Sequence, residues 1–121
     1  MKYSALIILL VTTLFSACSL FQGDSFSGTW KMTWKTEGVQ EEWEFDVKDD
    51  NSFETEYSFI IRGEPLPVDF EGRVSEDGSV DGKIFVEGRP VGAFSGTCDY
   101  EKGEGTWYGG NFKGTWNIVK Q

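Results

Sequence analysis

In the stretch VQEEWEFDV, residues 39–47, apolar side chains stand at Val39, Trp43, Phe45 and Val47, and polar ones at Gln40, Glu42, Glu44 and Asp46. Only Glu41 breaks the apolar set. Successive side chains of an extended chain point to opposite faces, so this pattern predicts a strand with one buried and one wet face. The same period of two runs through residues 26–35, 39–48, 52–62, 66–75, 80–87, 91–100, 105–108 and 112–119, and no stretch among them sustains a helical period. The connections KDDNS, RGEP, EDGS, EGRP, EKGE and GGN are short and carry Gly, Asn, Asp and Pro, the residues of tight hairpins. Parallel pairing needs crossovers of a dozen or more residues, and there are none. The expectation is an all-β chain of eight antiparallel up-and-down strands, whose simplest way to protect its edges is closure into a small barrel.

A repeated unit lies on that pattern. FSGTW at residues 26–30 returns as FSGTC at 94–98 and FKGTW at 112–116, with FEGRV at 70–74 as a weaker copy. Positions i, i+2 and i+4 share a strand face, so each glycine falls between two large inward residues. It permits sharp coiling and leaves room for a ring from the neighbouring strand. The expected interior is Phe26, Trp30, Met32, Trp34, Trp43, Phe45, Phe53, Tyr57, Phe59, Phe70, Phe94, Cys98, Trp107, Phe112 and Trp116. Five Trp, four Tyr and ten Phe exceed what turns and caps need. An eight-stranded barrel is just wide enough to be filled by such rings or to hold one small ligand between them.

The first residues do not belong to this domain. Lys2, the apolar run Ala5 to Val11 and the small residues before Cys18 form the layout of a secretory signal peptide. FSAC at 15–18 resembles the lipobox of bacterial lipoproteins, with Phe15 in place of the usual Leu. The resemblance implies a signal peptide at 1–17 and a Cys18 that carries diacylglycerol and an acylated amine, the palmitate-type anchor of that class. Residues 18–25 would then be a lipidated start and tether, and 26–121 the barrel. More than one acyl chain anchors stably. Ser19 rather than Asp after the cysteine implies, by the enteric sorting rule, an outer-membrane location in a bacterial cell envelope.

The near-start Gly28-Thr29-Trp30 resembles the Gly-x-Trp signature of lipocalins and their calycin relatives, and the avidins share both the motif and the eight-stranded meander. That resemblance implies a Trp30 that plugs one end of the barrel beneath a basic residue late in the last strand, Lys120 or Lys113. The lipocalins' C-terminal helix and the avidins' polar biotin-binding pattern are both missing, so biotin is not implied. FSGTCDYEKGEGTWYGGNFKGTW at 94–116 is also similar to MORN-like repeats, but one and a half units are too few for a solenoid.

Chemistry is sparse. There is no histidine, which removes the commonest general base and the commonest nitrogen ligand of metals. Cys98 is the sole cysteine apart from Cys18, so no internal disulfide is expected beside a lipidated Cys18, and its place in the repeat reads as a buried small hydrophobe. The carboxylate pairs, Glu54 and Glu56 among them, alternate onto the wet face, and Asp49, Asp50 and Asn51 do not fit the calcium loop. Neither an enzyme, nor a metal site, nor a cofactor is expected. Residues 18–121 carry 10 basic and 20 acidic side chains, 10 minus 20 or −10, a surface that nucleic acid repels.

Two functions remain in view. The first is a membrane-anchored, noncatalytic, lipocalin-like module for a small apolar or amphipathic ligand, lined by Trp30, Trp34, Trp43, Tyr57, Phe59, Trp107 and Trp116. In that reading Glu41 or Arg62 at the mouth orients a polar end of the ligand. The second is a filled barrel that serves the envelope through its surface and an unidentified protein partner.

Overall fold

The computed structural model describes residues 25–121, so the signal segment and Cys18 lie outside the described residues. Eight strands follow one another: β1 (Gly28–Thr36), β2 (Val39–Val47), β3 (Ser52–Ile61), β4 (Glu64–Val74), β5 (Ser79–Val86), β6 (Arg89–Cys98), β7 (Lys102–Gly109) and β8 (Phe112–Lys120). All pairing is antiparallel, in the order β2-β1-β8-β7-β6-β5-β4-β3. The expected all-β up-and-down meander is the fold, and it is a nearly closed barrel consistent with the calycin type. Strand limits move by a few residues at most positions. The largest change is β7, which begins three residues earlier because Gly103 pairs with Cys98 and extends the ladder.

The two ends of the barrel are built by different turn chemistry. At the far end four two-residue links, Glu37-Gly38, Arg62-Gly63, Glu87-Gly88 and Gly110-Asn111, join the strands. Arg62 and Gly63, with φ of 53° and 82°, and Glu87 and Gly88, with φ of 52° and 77°, place both central residues in the left-handed region. That is the type I′ pattern, whose twist suits a hairpin. At the near end the links are longer and each contains an Asp that accepts a backbone N–H from two residues on: Ser52 to Asp50, Ser79 to Asp77 and Glu101 to Asp99. The Ser52 hydroxyl, which donates to Asp50 at 2.6 Å, and these backbone bonds hold all three carboxyls below the ordinary range.

The interior follows the period of two. Trp30, Met32, Trp34, Phe45, Val47, Phe53, Val68, Phe70, Val74, Val80, Ile84, Phe94, Trp116 and Ile118 are buried, together with Phe26 ahead of β1. Aromatic rings lie over three glycines of the repeat, Gly72, Gly96 and Gly114, and over two outside it, Gly82 and Gly105. Phe53 lies against Gly72, Phe94 against Gly82, Trp116 against Gly105 and Gly96, and Trp107 against Gly114. Phe53 and Gly72, Gly82 and Phe94, Gly105 and Trp116, and Trp107 and Gly114 are directly opposed cross-strand partners. A ring therefore occupies the volume that a Cβ would claim, and strands approach closely around it.

Two parts of the expectation change. Phe112 shares the inward parity but is 67% exposed. It is the last inward position at the far end, opposite Gly109, and no ring layer lies beyond it. The first copy of the repeat also differs, because Gly28 is exposed, has φ 126° and faces the Lys120 side chain rather than a ring.

Candidate functional site

The near end is sealed. Trp30 has no exposed surface and donates its indole N–H to the Phe26 carbonyl at 2.8 Å. The Lys120 ammonium stands 5.9 Å from the Trp30 ring and bonds the Ser25 carbonyl, while Phe26 packs on Tyr100 at 4.6 Å. Lys120 thus takes the place that the calycin resemblance assigns to a late basic residue, and exposed Lys113 does not.

Above this plug the axis is filled by rings that touch from wall to wall. Trp34 stacks on Trp107 at 5.1 Å and meets Phe70 edge-on at 4.8 Å and Phe94 at 6.1 Å. Trp116 meets Phe94 at 6.1 Å and donates its N–H to the Thr106 carbonyl. Trp107 donates to the Lys35 carbonyl, so both indoles spend their polar atom on the wall. Buried Trp30, Trp34 and Trp116 are packing residues of this column.

The remaining aromatic residues gather where the barrel does not close. β2 and β3 are the two ends of the sheet order, joined by a tight near-end turn in which Asn51 and Ser52 bond back to Lys48. No ladder links them. Side chains bridge the seam instead. Trp43 stacks on Tyr57 at 4.4 Å and an interplanar angle of 16°, and Phe45 meets Phe53 at 5.1 Å. The Trp43 indole N–H donates to Thr55 Oγ1 at 3.2 Å, and the Tyr57 hydroxyl donates to Glu41 Oε2 at 2.6 Å. Phe59 stands nearly perpendicular to both Trp43 and Tyr57. The hydrogen bond to the Glu41 carboxylate, with some burial and the carboxylate charge behind it, raises the Tyr57 hydroxyl above its ordinary value.

Of the residues singled out in the sequence, the structure brings Glu41, Trp43, Tyr57 and Phe59 together, with Trp34 and Trp107 behind them. It does not bring Arg62 to Glu41. Arg62 is exposed at the tip of the β3–β4 hairpin, and the one ion pair among the described residues joins Lys31 to Glu42 at 3.0 Å. Thr55 was not anticipated, because a threonine at an inward position carries no signal until the seam is known.

Around the far-end mouth, Val39, Ile61 and Phe112 stand exposed at inward positions of β2, β3 and β8. The outer face beside the seam is acidic. Glu54 opposes Glu71 and Glu56 opposes Asp69 across β3 and β4, and these four with Phe85 border an open depression of about 510 Å³. Pro65 and Pro67 lie in the part of β4 that pairs with β3 alone, where a missing N–H costs no ladder bond.

Cys98 packs against Gly103 and is half-buried, and burial, aided by the Asp99 charge, pushes its thiol up to about 11. Such a thiol is a poor nucleophile at neutral pH. No group of three or more potential metal-ligating side chains occurs among the described residues. Set against models of known families, characterised proteins and solved structures, the chain gives no match, so the reading of its function rests on this geometry.

Proposed function

We propose that the protein is a noncatalytic interaction module of the bacterial cell envelope, tethered through lipidated Cys18 and acting through the surface of a filled barrel. The observation that carries this is the ring column on the axis: Trp30 sealed below, Trp34, Phe70, Phe94, Trp107 and Trp116 in mutual contact above. Side chains so packed leave no volume for a guest without losing contacts, since interiors are as dense as organic crystals. The tether rests on the lipobox-like FSAC and on the position of Ser25, which delivers the chain to the near end. The far end and the seam then face away from the membrane.

A second reading keeps a small apolar ligand. Half-buried Trp43, Tyr57, Phe59 and Trp107 beneath exposed Val39, Ile61 and Phe112 form an apolar mouth that a ligand would enter by parting Trp43 from Tyr57.

One titration separates the two. Residues 19–121 hold all eight strands and the whole buried core. Adding fatty acids or 1-anilinonaphthalene-8-sulfonate to that chain should leave its Trp fluorescence unchanged at tens of micromolar. Saturable quenching at one molecule per chain would overturn the filled-barrel reading in favour of the ligand one. The tether is checked by mass: Cys18→Ala should lose the acyl increment and leave the membrane fraction.

A further inference from the structure

We infer that the unpaired edges of β2 and β3 form a docking slot for an extended, basic segment of a partner protein, which adds as a strand and completes the barrel. This rests on the surface-interaction reading above and names the surface and the partner. β2 and β3 each have one edge with no ladder partner. Their turn at Lys48–Ser52 pins the slot at the near end, so it opens toward the far end. Strand addition draws its affinity from main-chain hydrogen bonds along such an edge and its selectivity from alternate side chains.

Charge identifies the occupant. On the outer face the β2 lip carries Glu42, Glu44 and Asp46, and the β3 lip carries Glu54 and Glu56, backed by Asp69 and Glu71 on β4. Lys31 neutralises Glu42, and Asp46 accepts only the Thr29 hydroxyl. The direct oppositions Glu54–Glu71 and Glu56–Asp69 have like charge, which disfavours a sheet pair. An added strand with Lys or Arg at its outward positions would meet carboxylates on both sides. Its inward positions would face Trp43, Tyr57 and Ile61, which suits small or apolar side chains. A second copy of this chain would bring a net charge of −9 against the same acidic lips, which argues against self-association.

The test uses ¹⁵N-labelled residues 19–121 and three acetylated decapeptides: alternating lysine and valine, alternating glutamate and valine, and the lysine peptide with every second valine replaced by proline. The expected result is saturable shifts from the lysine peptide confined to amides of residues 39–46 and 54–61. Binding should be about tenfold or more tighter than for the glutamate peptide and should disappear with the proline peptide, which cannot form a ladder. Glu44→Lys combined with Glu56→Lys should weaken it by about tenfold or more while the thermal midpoint holds. Shifts spread over the whole acidic exterior, equal binding by the proline peptide, or no binding at millimolar peptide would each overturn the slot, as would a dimer of the chain with β2 and β3 in its interface. None of those outcomes touches the filled barrel, which the fatty-acid titration judges separately.

Discussion

At the level of single residues the repeat is a packing device in which a ring takes the space a glycine leaves. Gly82, outside the repeat but directly opposite its Phe94, shows it best, because a Cβ there would run into the Phe94 ring and come within 2.6 Å of the Glu71 carbonyl oxygen. Gly82→Ala should therefore destabilise the protein by about 1 to 3 kcal/mol, as overpacking does. Gly38→Ala has open space around it and should cost only the backbone strain of φ 73°, about 1 kcal/mol. Urea unfolding of the two variants gives the order, and a larger loss at Gly38 would contradict the packing account. Cys98 gives a second test at this scale. With its thiol near 11 rather than 9.0, thiolate at pH 8 is about a hundredfold scarcer, and after the greater nucleophilicity of a more basic thiolate native Cys98 should still react with iodoacetamide more slowly than the unfolded chain, by about tenfold or more.

Strands and hairpins obey their own rules, and there the seam decides most. Tyr57→Phe removes one charge-assisted bond across β2 and β3 and should cost about 1 to 2 kcal/mol near neutral pH. The same bond raises the Tyr57 hydroxyl, so its stability is present below the unfolded Tyr value near 10 and is lost as pH rises through the folded one. Alkaline unfolding midpoints of wild type and Tyr57→Phe should accordingly converge as that range is crossed. The Glu87-Gly88 hairpin holds a non-glycine residue at φ 52°. Glu87→Asn should stabilise it by roughly 0.5 kcal/mol, because Asn is the better first residue of a type I′ turn. Thermal unfolding reads that change.

Most of the strand pattern was legible because a period of two and Gly-bearing turns are local properties of the chain. Phe53 with Gly72 could be anticipated in kind, since the repeat advertises a ring beside a glycine. The bond from Tyr57 to Glu41 could not, because it spans 16 residues and depends on which pair of neighbours fails to form a ladder. Alternation assigns faces and says nothing of register, so Glu54 against Glu71 was equally hidden. Phe112 misled for a related reason: parity points it inward, but its height along the axis leaves it above the last ring layer.

For the whole molecule the acidic exterior and the filled axis belong together. On the interaction reading proposed above, such a barrel acts through its surface and its unpaired seam, which is flanked by carboxylates of which only Glu42 has an ion-pair partner among the described residues. The net charge of −9 should make the fold more stable as salt screens self-repulsion, with the thermal midpoint rising between low and physiological ionic strength. A fall would point to a net gain from ion pairs, which the single Lys31–Glu42 bridge among the described residues does not supply. The account turns on how β2 meets β3, and amide hydrogen exchange of the free barrel tests that most directly. The seam-facing amides of β2 and β3 should exchange orders of magnitude faster than those of β1 and β8. Protection equal to that of β1 and β8 would mean the two strands are hydrogen-bonded to each other, and the slot would not exist.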